Sequence, residues 1–333
     1  MALLPVDRLE ILVLVDNATD MLSTTPAHVE TESARLNRRG FKTMASRCLC
    51  CAAHGLSCLV TATRGGVSRT VLFDTGPEDY AFERNVTRLG ADLGAVEAIV
   101  LSHGHWDHAG AMLLALGMIR GKSGDRTGNR AGGKPVPWYG HPHMFGTRGV
   151  KQPNGSVRQM EDIPSVADLT AFGAEVIATR EPQVLLDGMF YVSGEIPRVT
   201  PYERGYPGQV RLGSDGRTWE PDEALVDERF LAVDVAGKGL VVFSACSHAG
   251  IVNVLTHAKE SFPGVPLHAA MGGLHLSGAN EAIIPQTVEG LRALDLKTLA
   301  AGHCTGWRAM TALANAFGDK VLAPTAVGKT YTF

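Results

Sequence analysis

Three histidines and one aspartate fall within six residues: His103, His105, Asp107 and His108, separated only by Gly104 and Trp106. Imidazole and carboxylate are the donors that Zn²⁺, Mn²⁺ and Fe²⁺ accept. In a tight turn His103 and His105 can point one way while Asp107 and His108 point another. One loop can therefore serve two adjacent metal positions. Gly104 permits the turn, and Trp106 packs beneath it. Structural zinc sites are usually closed and rich in cysteine. Here the other candidate donors lie far downstream, as catalytic sites often arrange them, and the pattern is far more specific than a lone histidine pair.

The elements around this run explain how such donors could converge. An apolar strand over 9–16 ends at Asp16 and Asn17, and 18–47 reads as a polar surface excursion. Strands over 56–63 and 70–73 flank the turn at Arg64, Gly65 and Gly66, and the second stops at Asp74. A helix is expected over 79–90, then a fully apolar strand over 96–101 that delivers the histidine run, then helical composition over 109–119. Downstream, a hairpin (230–234 and 240–243) leads to Cys246 and His248. A helix over 251–260, a strand over 267–271 ending near His275, a helix over 280–294 and a strand over 297–301 ending at His303 follow. Strand after strand thus ends in a polar loop carrying Asp or His, which is where α/β sheets place their chemistry. The glycine-rich stretch 120–137 reads as a surface loop with solvated Lys and Arg. The region 138–230 is irregular, and it reads as connection or as a cover over the site.

Bulk properties narrow the classes. A length of 333 residues with 45% hydrophobic content is ample for a large core. A net charge of −3 with 20% charged residues gives no electrostatic footprint for nucleic acid or anionic membrane. No apolar run approaches the roughly 18–20 residues that span a bilayer. The amino-terminal stretch lacks the basic start and cleavage site of a signal peptide, so a cytoplasmic location is the expectation. Cys48, Cys50, Cys51 and Cys58 crowd together in a spacing that suits neither a disulfide framework nor a paired-cysteine zinc site. With Cys246 and Cys304 they read as reduced thiols.

The run His103, His105, Asp107, His108, preceded by its apolar strand and by Phe73, Asp74, Thr75 and Gly76, resembles the metallo-β-lactamase superfamily. The segments around Cys246–His248–Gly250, Gly272–His275 and Gly302–Gly306 are similar to the branch that includes the archaeal dihydropterin synthase-like proteins. Asp16 with Asn17, His54 to Ser57, and Gly194 to Arg198 fit the same branch. The resemblance spans roughly residues 10–20 and 52–310.

That resemblance implies an α/β fold, the four-layer αβ/βα sandwich. It is read as a single domain over 1–333, with 120–230 supplying insertions over the metal cleft. It also implies two divalent ions, Zn²⁺ foremost, with Mn²⁺ or Fe²⁺ as alternatives. His103, His105 and a third histidine, assigned to His248, would hold the first; Asp107, His108 and His303 would hold the second. The pattern departs from the superfamily twice. No Pro-Gly-His motif precedes the hairpin, where Gly194–Pro197 stands instead, and no Gly-Asp follows it. Cys246 or a water would replace the bridging aspartate, and His275 and Cys246 are next in line for the third ligand. Asp74 is expected to orient a ligand histidine rather than bind metal. His54 is functional by resemblance, and His275 is either a substrate contact or structural. His141 and His143 are cover residues or ordinary loop histidines, Cys304 a packed thiol, and His28, His257 and His268 structural or solvated.

The implied chemistry is metal-assisted attack by water, with Asp107 as the catalytic carboxylate. Its substrate would be a small ester, lactone, thioester, phosphoester or amide. The branch adds a second reading, a synthase that releases diphosphate from a dihydropterin substrate. A redox di-iron role is disfavoured because His105 stands where such relatives carry an acid. The alternative from another class is a metal-binding or sensing protein without catalysis.

Overall fold

The computed structural model of the chain describes residues 2–43, 45–121 and 134–333. The stretch 122–133, most of the loop expected at 120–137, lies outside the described residues.

The strand Val67–Phe73 shows how the sequence builds the layers. Val71 and Phe73 point into a central core, while Leu72 points the other way onto helices. The same period of two runs through Val96–Val100, where Ala98 and Val100 face the centre and Ile99 faces the helices. It recurs in Gly239–Ser244, with Val241 and Phe243 inward and Leu240 and Val242 outward. Strands apolar on both faces must be covered on both. The result is an eight-stranded and a six-stranded sheet packed face to face, each with helices on its outer side. This is the expected four-layer αβ/βα sandwich.

In the larger sheet, Val67–Phe73, Val96–Val100, Val136–Gly140 and Ala174–Ala178 run parallel in that order. In the smaller, Gly239–Ser244, Leu267–Gly273 and Thr298–Gly302 run parallel. Their carboxyl ends emerge on one edge of the sandwich. The helix Asp79–Leu89 buries Phe82, Val86 and Leu89 on one stripe and stops at Gly90, whose left-handed φ of 58° closes its last turn. The helical composition expected over 109–119 divides in two, Trp106–Ala109 and Met112–Ile119. The first of these carries Asp107 and His108.

Two parts of the fold depart from the sequence reading. The irregular region 138–230 contains a third, antiparallel sheet made of Trp219–Pro221, Gln209–Leu212, Arg148–Lys151 and Val157–Gln159. Its strands are three or four residues long, too short to show periodicity. Beyond residue 306, a helix Trp307–Val321 leads to the strand Thr330–Thr332, which pairs with Arg8–Val15, Glu10 opposite Thr332. Tyr331 is wholly buried there.

Candidate metal centre

Each candidate donor sits on a loop at the carboxyl end of a parallel strand. Asp74 follows Val67–Phe73, and the histidine run follows Val96–Val100. Cys246 and His248 follow Gly239–Ser244, His275 follows Leu267–Gly273, and His303 follows Thr298–Gly302. Four of these turns are made by non-glycine residues in the left-handed region: Asp74, Ser247, His275 and His303, with φ of 58°, 57°, 41° and 46°. Such conformations each cost about 1–3 kcal/mol and persist only where the surroundings impose them. At Gly104 the backbone itself demands glycine, since a Cβ would overlap the Met144 carbonyl oxygen and stand 2.7 Å from Arg148 Nη1.

Hydrogen bonds fix which ring nitrogen of each histidine carries the proton. Asp74 Oδ2 accepts from Ser102 Oγ at 2.7 Å, so that hydroxyl has no proton left and must accept from His103 Nδ1 at 2.9 Å. His103 Nε2 is therefore a bare lone pair. His105 Nε2 donates to Gln209 Oε1 at 2.9 Å, which leaves Nδ1 bare. These two bare nitrogens face each other at 3.0 Å, with His248 Nε2 3.2 Å from His103 Nε2. His248 Nδ1 is buried without a partner. Two buried lone pairs in contact repel unless a cation or a proton lies between them. The group fits a divalent metal ion.

The second group is built the same way. His108 Nδ1 donates to Asp74 Oδ2 at 2.7 Å, and His303 Nδ1 donates to Asn17 Oδ1 at 2.9 Å. Their Nε2 atoms lie 3.5 and 3.4 Å from Asp107 Oδ2. His303 Nε2 is buried with no hydrogen-bond partner. A ligand histidine that hands its other N–H to a protein acceptor is the usual construction of a metal site, and Asp74 serves both groups without joining either. His103, His105 and His248 form one set, and Asp107, His108 and His303 another, with ligand atoms in each set within 4.8 Å of one another. Cys246 falls between them: its sulfur groups with His103 and His108, and again with His303 and Cys304. The two sulfurs are 3.3 Å apart.

Electrostatics separate the two sets. Burial, aided by neighbouring cationic groups, pushes His103 and His248 well below the ordinary imidazole range and His105 down to about 3. Burial also opposes charge on His108, but the Asp107 and Asp74 carboxylates outweigh it and raise that imidazole to about 10. At His303 burial is likewise overcome, by Cys304 and Asp107, to about 9. Burial works against the Asp107 carboxylate, yet His108 and His303 hold it well below its usual value.

The donors open into a cavity of about 910 Å³. His105, Asp107, Cys246, His248 and His303 form its floor; His54, Trp106, Tyr206 and His275 form its walls, with Val150, Gln152 and Arg158 from the third sheet. Tyr206 stacks on His248 with ring centroids 5.7 Å apart, and His275 packs against the same ring at 4.4 Å. His275 belongs to neither donor set. His54 Nε2 lies 3.6 Å from Asp107 Oδ2, while its Nδ1 meets Asn17 Nδ2 at 3.0 Å. His141 and His143 do not line the cavity; they bind Glu195 and Arg180. Cys304 lines the cavity beside Cys246.

The sequence reading overlooked Gln209, Tyr206 and the ion pairs behind them. Arg148 binds both oxygens of Asp227 at 2.9 and 2.7 Å, and Asp227 Oδ2 accepts from the Gly104 N–H at 2.9 Å. Glu228 accepts from the backbone N–H groups of His248 and Ala249 at 2.7 and 2.6 Å. The acidic pair Asp227–Glu228 just before the hairpin was the one available signal.

Comparison with known proteins agrees with this geometry. The family model of the metallo-beta-lactamase superfamily matches residues 55–166, the part that holds Asp74 and the histidine run. Over that stretch the chain is similar to the metallo-β-lactamase superfamily. Among similar proteins, a 7,8-dihydropterin-6-methyl-4-(beta-D-ribofuranosyl)-aminobenzene-5'-phosphate synthase of Methanocaldococcus jannaschii is 28% identical over 77% of this chain and 82% of that protein. An uncharacterized protein of the same organism is 27% identical over 79% of this chain and 88% of its own length. The crystal structure of a metal-dependent hydrolase of the superfamily, Tm1679, superposes with a TM-score of 0.68 at 20% identity, covering 96% of this chain and 98% of that one. Among the described residues no helix is long and apolar enough to cross a membrane.

Proposed function

We propose that this protein is a metal-dependent hydrolase that holds two divalent ions, Zn²⁺ foremost with Mn²⁺ or Fe²⁺ as alternatives. The observation that carries the reading is the pair of adjacent donor sets, His103/His105/His248 and Asp107/His108/His303, which reach one cavity through His105, His248, Asp107 and His303. Bound there, divalent ions would supply Lewis acidity toward a carbonyl or phosphoryl oxygen and make water acidic enough to ionise near neutral pH.

The chain's own groups do the rest. Asp107 Oδ2, held as a carboxylate, orients water at the cavity floor and passes its proton toward the leaving group. Asn17 Oδ1 accepts from both His303 Nδ1 and the Gly55 N–H, so its amide nitrogen must donate to His54 Nδ1. Neutral His54 therefore presents Nε2–H to the cavity beside Asp107, placed to donate to a substrate oxygen. Tyr206 and Trp106 offer flat apolar faces to the remainder of a small molecule. The substrate class is an ester, lactone, thioester, phosphoester or amide, and neither nucleic acid nor membrane is part of the reading. Six free cysteines suit a reducing cytoplasm.

A second reading is favoured by the 28% identity over 77% of the chain to a protein named as a synthase. The same floor would then assist departure of a diphosphate rather than attack by water.

Elemental analysis of the wild type beside His248→Ala, with turnover on a carboxylic ester and a phosphodiester, tests the proposal. About two ions per chain with metal-dependent hydrolysis is expected, falling toward one ion in the variant. No bound metal after reloading with Zn²⁺ or Mn²⁺ would overturn it. Metal without hydrolysis, but with diphosphate release from a dihydropterin diphosphate, would select the synthase.

A further inference from the structure

We propose that Gln209, a residue of the third sheet, is a positioning residue that fixes the proton of His105 on Nε2 and thereby keeps the first metal position open. The inference rests on the two-ion reading above and adds a dependence of that site on an element outside the two main sheets.

Gln209 begins the strand Gln209–Leu212 and is wholly buried. Its Oε1 lies 2.9 Å from His105 Nε2, and its amide nitrogen faces Asp222 Oδ2 at 3.4 Å. The carboxylate can only accept, so the amide is oriented with its oxygen toward the imidazole. Asp222 is held in turn by Arg148 Nε at 2.8 Å. Through Arg148 and Asp227 the same sheet also grips the backbone of the histidine run, at Gly104. The third sheet thus holds the metal loop twice, once by a peptide N–H and once by a ring.

The ring contact decides chemistry. A neutral imidazole places its proton on whichever nitrogen has the better acceptor. His105 has two candidates: Gln209 Oε1 on one side and the bare Nε2 of His103, 3.0 Å from Nδ1, on the other. With the proton on Nε2, two lone pairs face the first position and a cation is welcome. With the proton on Nδ1, a His105–His103 hydrogen bond closes that position, and a cation must break it. Gln209 biases this choice. On the other donor set Asn17 holds His303 in the same way, but from the loop that follows the strand Arg8–Val15 of a main sheet. The strand Arg148–Lys151, paired with Gln209–Leu212, carries Val150, which lines the cavity, and Gln152 follows it. The wall a substrate touches is therefore continuous with the element that sets the ligand tautomer.

The test compares Gln209→Leu, which keeps bulk but has no acceptor, with Gln209→Glu, which keeps an oxygen toward His105 and, protonated on its other oxygen, can still donate to Asp222. Imidazole nitrogen NMR of the metal-free proteins reads the tautomer, and titration with Zn²⁺ against a chromophoric chelator reads each ion. The expected result is Nε2–H at His105 in the wild type and Gln209→Glu, and Nδ1–H in Gln209→Leu. One ion should bind about 10–100-fold more weakly in Gln209→Leu, with the other unchanged and Gln209→Glu close to wild type. Adding His248→Ala to Gln209→Leu should not weaken the remaining ion, because both changes act on one position. An unchanged tautomer in Gln209→Leu, wild-type affinity for both ions, or equal weakening of both would each overturn the proposal. A wild type that binds fewer than two ions would overturn the two-ion reading instead, while the metal-free spectrum still judges Gln209.

Discussion

The first donor set draws on three imidazoles, His103, His105 and His248; the second joins two imidazoles, His108 and His303, to the Asp107 carboxylate. Both are buried, yet their protons behave in opposite ways. With no acid among its donors, the first set is governed by burial, and its rings are driven toward the neutral form that a metal needs. In the second, Asp107 and Asp74 at His108, and Cys304 and Asp107 at His303, reverse the effect of burial, and the rings hold protons in the metal-free protein. A cation entering the first set displaces no proton at neutral pH, whereas one entering the second must displace protons from His108 and His303. The anionic groups beside the second set turn near-identical donors into two sites with different pH responses.

The largest expected effect breaks the first set outright. His103→Ala should reduce bound metal toward one ion per chain and cut hydrolytic turnover by about a thousandfold or more, since it removes several kcal/mol of Lewis-acid stabilisation. Full activity in that variant would remove the first set from the mechanism.

Next in size is Asp74→Asn, because Asp74 supports both sets through His108 Nδ1 and through Ser102 to His103. It should weaken both ions by about 10–100-fold. A loss confined to one ion would show that the sets are supported independently.

Acidification sharpens the contrast. His108 and His303 have folded-state pKa values raised to about 10 and 9. Their stabilisation of the metal-free fold is therefore fully present below the unfolded value of about 6.5 and is lost as pH rises through 9–10. Metal at the second set should tighten as pH rises toward that window and level off above it, because entry displaces the protons of both rings. His105, lowered to about 3, releases no proton to metal above pH 6.5. Zn²⁺ titrations from pH 6 to 9 should show one affinity rising steeply with pH and the other nearly flat. Parallel slopes would contradict the assignment.

The smallest effect concerns support of the loop rather than donors. Gly104→Ala should destabilise the fold by about 1–3 kcal/mol, read as a lowered unfolding midpoint, because the new methyl overlaps the Met144 carbonyl. Unchanged stability would mean that the loop has slack.

Much of this arrangement was legible because it is written in local patterns. The alternation in Val67–Phe73 and Val96–Val100 marks strands covered on both faces, and each ends in a residue type suited to metal. Position at a strand end also singled out His248 and His303, which the fold carries to the histidine run from more than a hundred residues away. Gln209 and Tyr206 left no such trace. Their strands and loops are too short for periodicity, and an amide or a phenol acquires meaning only from what tertiary packing brings beside it. The same holds for Thr330–Thr332, three residues whose place in the larger sheet depends on a partner near the other end of the sequence.

That pairing has a consequence for the order of assembly. Arg8–Val15 is synthesised long before Thr330–Thr332, which covers one side of it and emerges after every loop of the metal centre. A contact of such sequence separation is slow to form. Until it forms, an Ile-, Leu- and Val-rich strand presents an open edge to the cell. The growing chain therefore carries complete donor loops on an unfinished sheet until Thr330–Thr332 is added.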